Sequence, residues 1–144
     1  MILKNAKLIL EDGIQEGSLC VENGKIAWIS GAPQEEGIDL GGLYLAPGFV
    51  DIHIHGYLGA DASDGDEEGI RKMAAGIIKN GVTAWCPTTM TVSKKEIETA
   101  FDTVRAVKNS GEYYGARILG VNSEGPFINS KKKNDKLERL QKKK

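Results

Sequence analysis

Apolar and polar positions alternate with a period of two along the first third of the chain, and then the rhythm changes. Ile2-Leu3, Leu8-Ile9-Leu10, Leu19-Cys20-Val21 and Ile26-Ala27-Trp28-Ile29 are short apolar runs broken by Asp12-Gly13 and Asn23-Gly24. An Asn-Gly pair between two such runs is a strong hairpin signal, because a two-residue turn needs positive φ at both central positions. The pattern predicts a small antiparallel sheet over residues 1–46, expected to be the start of a separate small β domain covering 1–47. Gly41-Gly42 and Pro47-Gly48 mark the boundary.

From Phe49 the chain alternates strand and helix. Phe49-Val50-Asp51-Ile52-His53-Ile54-His55 is strand-like in its β-branched content, and the glycine-rich acidic stretch from Gly56 to Gly65 reads as a loop. Ile70, Met73, Ala74, Ile77 and Ile78 fall at helical spacing and predict a helix from about Asp66 to Asn80, with Gly81 where a left-handed residue ends it. Val82 to Cys86 is a second strand, closed by Pro87. Ser93-Lys94-Lys95-Glu96 is a capping box that opens a second helix. Its apolar face is Ile97, Ala100, Phe101 and Val104, and Arg117 to Val121 follows as a third strand.

Strands separated by helices imply right-handed crossovers and a parallel sheet. Either this is a small open α/β sheet or it is the opening portion of a larger barrel. A chain of 144 residues suffices for one ordinary domain but falls short of the ~250 of a complete (β/α)₈ barrel.

Composition narrows the class. Hydrophobic residues at 40% and charged residues at 27% fit a soluble globular protein rather than a disordered one. Cys20 and Cys86 have no Cys-x-x-Cys spacing and are expected to be reduced and buried. Lysines interrupt the apolar N-terminus and no apolar run approaches the ~18 residues of a membrane span, so a cytoplasmic protein without a membrane partner is expected. The formal net charge of −1 is unevenly spread: residues 131–144 hold eight Lys/Arg and two acids, which leaves 11 basic and 18 acidic residues before them. That tail has no interleaved aromatic side chains, so it reads as a solvated end rather than a nucleic-acid-binding one.

The chemistry concentrates at strand ends. In an extended strand Asp51, His53 and His55 share one face, and His53 and His55, with Cα atoms roughly 6.6 Å apart, can turn toward one metal ion. They are the two histidines of the chain. They stand at the C-terminal edge of a strand, where parallel α/β proteins build their sites; the alternative is a pair of polar residues at a strand end. Glu124 occupies the matching place after the third strand and suits a third ligand, or else is a surface glutamate before the Gly125-Pro126 turn. Thr88, Thr89 and Thr91 offer hydroxyls for a substrate oxygen or phosphate, or for capping turns.

Leu45-Ala46-Pro47-Gly48-Phe49-Val50-Asp51-Ile52-His53-Ile54-His55-Gly56 resembles the first-strand signature of the amidohydrolase superfamily. Gly81-Val82-Thr83 with Pro87-Thr88-Thr89, Ile118-Leu119-Gly120, and Glu124-Gly125-Pro126-Phe127-Ile128-Asn129 resemble, in order and spacing, the N-acetylglucosamine-6-phosphate deacetylase family, over residues 1 to about 133. The resemblance implies the first three β/α units of a (β/α)₈ TIM-type barrel over 48–130, beside a β-sandwich built from both chain ends. It implies metal-dependent hydrolysis of the acetamide of N-acetylglucosamine 6-phosphate, an amino-sugar phosphate, to glucosamine 6-phosphate and acetate. A divalent cation, zinc or iron, would be held by Glu124, with His53 and His55 as a further metal site that some members lack. It also implies a homodimer and a general-base aspartate from a later strand, so that no catalytic residue of that kind falls within these 144 residues.

Two departures qualify the resemblance. Asn122 stands where the family often has a histidine, and from Asn134 a lysine-rich end replaces the substrate-contacting turn. The chain is therefore expected to be truncated, by a frame shift near the Lys131-Lys132-Lys133 codons. It is expected to be inactive alone and to need a complementing C-terminal fragment. Competing readings are a piece of a dihydroorotase-like or adenine-deaminase-like enzyme, against which the Glu-Gly-Pro-Phe segment argues, and a non-catalytic metal-binding or interaction module.

Overall fold

The computed structural model describes residues 1–112, 115–125 and 127, and the lysine-rich stretch 131–144 lies outside them. The chain divides into two compact units, Met1–Pro47 and the residues from Gly48 onward.

The first unit is one sheet of five strands: β1 (Ile2–Leu10), β2 (Gly13–Glu22), β3 (Lys25–Ser30), β4 (Ile38–Asp39) and β5 (Tyr44–Leu45). Asn23 and Gly24, at φ 50° and 73°, form the turn that their side chains tolerate and most others do not. β1, β2 and β3 pair antiparallel, but β4 and β5 run parallel to β1, one after the other along its free edge. The sheet is thus mixed rather than antiparallel. Once β3 ends, the chain has to return to the start of β1, and a segment that enters there travels the same way as β1. Between the two short strands Gly41 and Gly42, at φ 59° and 79°, redirect the backbone through a conformation that favours glycine. Ala6, Leu8, Ser18 and Cys20 are the buried residues of this sheet.

The second unit mixes strands and helices. β6 (Phe49–Ile54) leads into a small hairpin, β7 (Gly56–Tyr57) and β8 (Ala60–Asp61), then helix α1 (Glu67–Ile77) with a 3₁₀ turn at Ile78–Asn80. β9 (Val82–Thr89), helix α2 (Lys94–Asn109), β10 (Arg117–Ile118) and β11 (Asn122–Ser123) complete it. β9 is central: β6 pairs with it in parallel on one side, β10 and β11 in parallel on the other.

Asp66 caps α1 by accepting from the Glu68 N–H, and Gly81 ends the 3₁₀ turn at φ 82°. Ile70, Met73, Ala74 and Ile77 are buried, whereas Ile78 is exposed. The 3₁₀ turn advances about 120° per residue instead of about 100°, which rotates Ile78 off the buried stripe. In α2 the capping box is formed from both directions by Ser93 and Glu96. The core of the unit gathers Ile70, Met73 and Ile77 of α1, Val104 and Val107 of α2, and Trp85 of β9. Trp85 is fully buried, and its indole N–H donates to the Ala116 carbonyl at 3.2 Å.

β9 does not stop at Pro87; it continues to Thr89. A proline brings no N–H to a ladder, and here the neighbouring strand adjusts. The β6–β9 register shifts between Asp51 and Ile54, and the Ile54 N–H donates to the Thr88 hydroxyl at 3.0 Å.

Candidate metal centre

Three side chains meet at the C-terminal ends of the parallel strands. His53 is the penultimate residue of β6, His55 stands one residue past its end, and Glu124 stands one residue past β11. His55 Nε2 lies 3.0 Å from Glu124 Oε2, His53 Nε2 lies 3.4 Å from the same oxygen, and the two Nε2 atoms are 3.2 Å apart. These are the three residues singled out by spacing, and β9 between their strands is what brings them together.

The spacing can be compared with coordination geometry. Two ligands about 2.0 Å from a tetrahedrally held ion are about 3.3 Å apart, close to all three separations. The donor set, two imidazoles and a carboxylate, is one that divalent transition metals accept.

The bond made by the other ring nitrogen of His55 sharpens this comparison. Its Nδ1 lies 3.1 Å from the Thr88 carbonyl oxygen, an acceptor, so Nδ1 carries the hydrogen and donates it. In the neutral ring Nε2 then presents its lone pair to a carboxylate oxygen 3.0 Å away. Two acceptors that close repel unless a cation lies between them. A proton bridges two such atoms; the third, His53 Nε2, stands nearly as close to both, which suits a metal ion better. A backbone carbonyl that orients a ligating imidazole is a common arrangement in metal sites. The side chains are 56% (His53), 30% (His55) and 38% (Glu124) exposed, so an ion can reach them from solvent.

The loops around the group are tied down. The Thr91 hydroxyl donates to the Glu124 carbonyl at 3.2 Å, and the Ser63 hydroxyl accepts from the Met90 N–H at 2.7 Å. Gly125 has φ 100°, and a Cβ there would stand 2.8 Å from Thr91 Oγ1, so the turn after Glu124 needs glycine. Thr88 and Thr89 are fully buried within β9 instead of lining an open loop, and the Thr88 hydroxyl is occupied by Ile54 and by the Cys86 carbonyl. The Thr88 hydroxyl thus serves the backbone.

Curated proteins that match are N-acetylglucosamine-6-phosphate deacetylases. The one from Homo sapiens is 36% identical over 135 residues, which cover 92% of this chain and 32% of that protein. The chain is similar to the N-terminal third of N-acetylglucosamine-6-phosphate deacetylases. The solved deacetylase from Pasteurella multocida superposes with a TM-score of 0.81 at 25% identity, covering 93% of this chain and 36% of that one. The deacetylase from Thermotoga maritima gives 0.71 at 31%, over 92% and 34%. The chain therefore spans about a third of the length of the deacetylases it matches. No family model matches it. Among the described residues no helix is long and apolar enough to cross a membrane.

Thr88 and Asn122 take part in the site in ways that the sequence did not show, since Thr88 was picked out there for its hydroxyl. Thr88 acts through its main-chain carbonyl, which every residue type possesses. Asn122 stood out as a departure from the deacetylase pattern, and its amide donates to the Ile52 carbonyl of β6 at 2.8 Å.

Proposed function

We propose that this chain carries the first metal ligands of a deacetylase acting on N-acetylglucosamine 6-phosphate, with His53, His55 and Glu124 holding a divalent zinc or iron ion. The observation that carries the reading is the approach of three ligand atoms to 3.0–3.4 Å in a chain similar to deacetylases over 92% of its length. When bound, such an ion supplies electrophilic polarisation of an amide carbonyl and lowers the pKa of water. The residues of this chain hold and orient: His55 through the Thr88 carbonyl, and Glu124 through the Thr91 hydroxyl at its own carbonyl.

Hydrolysis of an amide also needs a group that takes a proton from water and returns it to the leaving amine. The family resemblance implies an aspartate on a later strand for this role, and the chain matches only about a third of its relatives' length. These 144 residues are accordingly not sufficient for the reaction, and acetate release from N-acetylglucosamine 6-phosphate requires the part of a deacetylase that they do not match.

The test has two arms. Purified chain should take up about one equivalent of Zn²⁺ or Fe²⁺ and release no acetate, and co-expression with the unmatched part of a relative should restore acetate release that His55→Ala and Glu124→Gln then reduce. Failure to bind either metal refutes the ligand assignment. Acetate release by a co-expressed pair that is indifferent to both substitutions removes these residues from the reaction.

A further inference from the structure

Glu124 and the two histidines belong to strands that do not touch. β6 and β11 both pair with β9, from opposite sides. On a flat sheet two strand spacings set them about 9.6 Å apart, so side chains reaching across keep their ligand atoms within 3.4 Å only while the strand ends hold that separation. Something must hold that separation. The ladder does not do so unaided, since β6 and β9 lose register between Asp51 and Ile54, opposite Pro87, which has no N–H to offer.

Asn122 crosses that gap. It belongs to β11 and pairs with Thr88 in the ladder, yet its side-chain amide donates to the carbonyl of Ile52 on the far side of β9 at 2.8 Å. The acceptor is a carbonyl, so the group facing it is the NH₂. Ile52 immediately precedes His53, and Asn122 is two residues before Glu124, on the same face of an extended chain. The bond therefore joins the backbone that carries one pair of ligands to the backbone that carries the third, one residue from His53, three from His55 and two from Glu124.

We infer that Asn122 is a positioning residue of the metal centre: its amide clamps β11 to β6 across β9 and sets the distance between Glu124 and the His53/His55 pair. This rests on the metal reading given above and adds a residue that touches neither ion nor substrate. An outer partner of this kind changes metal affinity by about 10- to 100-fold when it is removed.

The test uses the full 144-residue chain with Co²⁺ as the probe, because its visible absorption reports ligand number and geometry. Asn122→Leu keeps the volume and deletes the donor, and Asn122→Ala deletes both. Both should weaken Co²⁺ binding by about 10- to 100-fold and alter the absorption band, while the urea midpoint of the metal-free chain stays close to that of the unaltered protein. In that unaltered protein, Zn²⁺ should slow solvent exchange of the Asn122 side-chain amide protons, a measurement that does not depend on either variant folding. Unchanged Co²⁺ affinity and spectrum in the variants, or an Asn122 amide that exchanges freely with Zn²⁺ bound, overturns the positioning role alone. An unaltered chain that binds no Co²⁺ overturns the metal reading and this role with it.

Discussion

His55 and Thr88 are joined by a 3.1 Å hydrogen bond from the imidazole Nδ1 to the main-chain carbonyl, and this bond decides which nitrogen of His55 faces Glu124. It makes the site asymmetric, because the ring of His55 is oriented by a backbone carbonyl.

Removing ligands should therefore have graded effects. His55→Ala and Glu124→Gln each delete an atom of the closest pair, 3.0 Å apart, and should lower Zn²⁺ affinity by ~100-fold or more, beyond the upper end of what an outer partner contributes. His53→Ala should cost less, since His53 is the most exposed of the three. Competition against a chromophoric chelator measures all three, and equal losses would contradict the asymmetry.

Thr88 and Thr89 are adjacent, fully buried and unequal. The Thr88 hydroxyl accepts the Ile54 N–H, whereas the Thr89 hydroxyl has no hydrogen-bond partner among the described residues. Thr88→Val should destabilise by about 1–3 kcal/mol by orphaning a backbone donor, and Thr89→Val should be neutral or stabilising, because it removes an unsatisfied buried group without changing shape. Urea denaturation of the two variants side by side gives the comparison.

At the start of α2, Ser93 accepts from the Glu96 N–H and the Glu96 carboxylate accepts from the Ser93 N–H. Ser93→Ala should cost about 1 kcal/mol, and Ser93→Asp should recover most of it, since aspartate accepts the same bond. Thermal unfolding followed by far-UV circular dichroism reads both.

Asp39 in the first unit accepts from the Gly41 N–H and the Asn5 amide, which hold its carboxyl below the ordinary value of 3.8, the Gly41 bond contributing most. A carboxyl depressed in the folded state stabilises it above the unfolded pKa, and the contribution is lost as pH falls through the folded value. The first unit should thus weaken as pH drops below about 4, and Asp39→Asn should flatten that dependence. Two-dimensional NMR spectra of the β4 region between pH 5 and pH 2.5 would show whether the variant still titrates there.

Much of the molecule follows from local rules that need no tertiary information. Asn23-Gly24 turns where both residues accept positive φ, Ser93 and Glu96 cap each other within four residues, and Gly81 ends the 3₁₀ turn. The helical stripe of Ile70, Met73, Ala74 and Ile77 is a period that a helix reads in one way. His53, His55 and Glu124 were legible as ligand candidates for a similar reason: residue type and strand-end position are local facts.

Other features depend on where distant segments return. β4 and β5 run parallel to β1 because of the path taken after β3, which no period of two encodes. β9 passes through Pro87 because Thr88 supplies the acceptor that Ile54 needs, a compensation invisible until β6 lies alongside. The sequence alone named the three candidate ligands and the strand ends they occupy; their meeting came from the pairing of β6 and β11 with β9, beside the Thr88 carbonyl and the Asn122 amide. Those contacts join residues 33 and 70 positions apart, and a hydrogen bond to a main-chain carbonyl leaves no mark on the identity of the residue that accepts it.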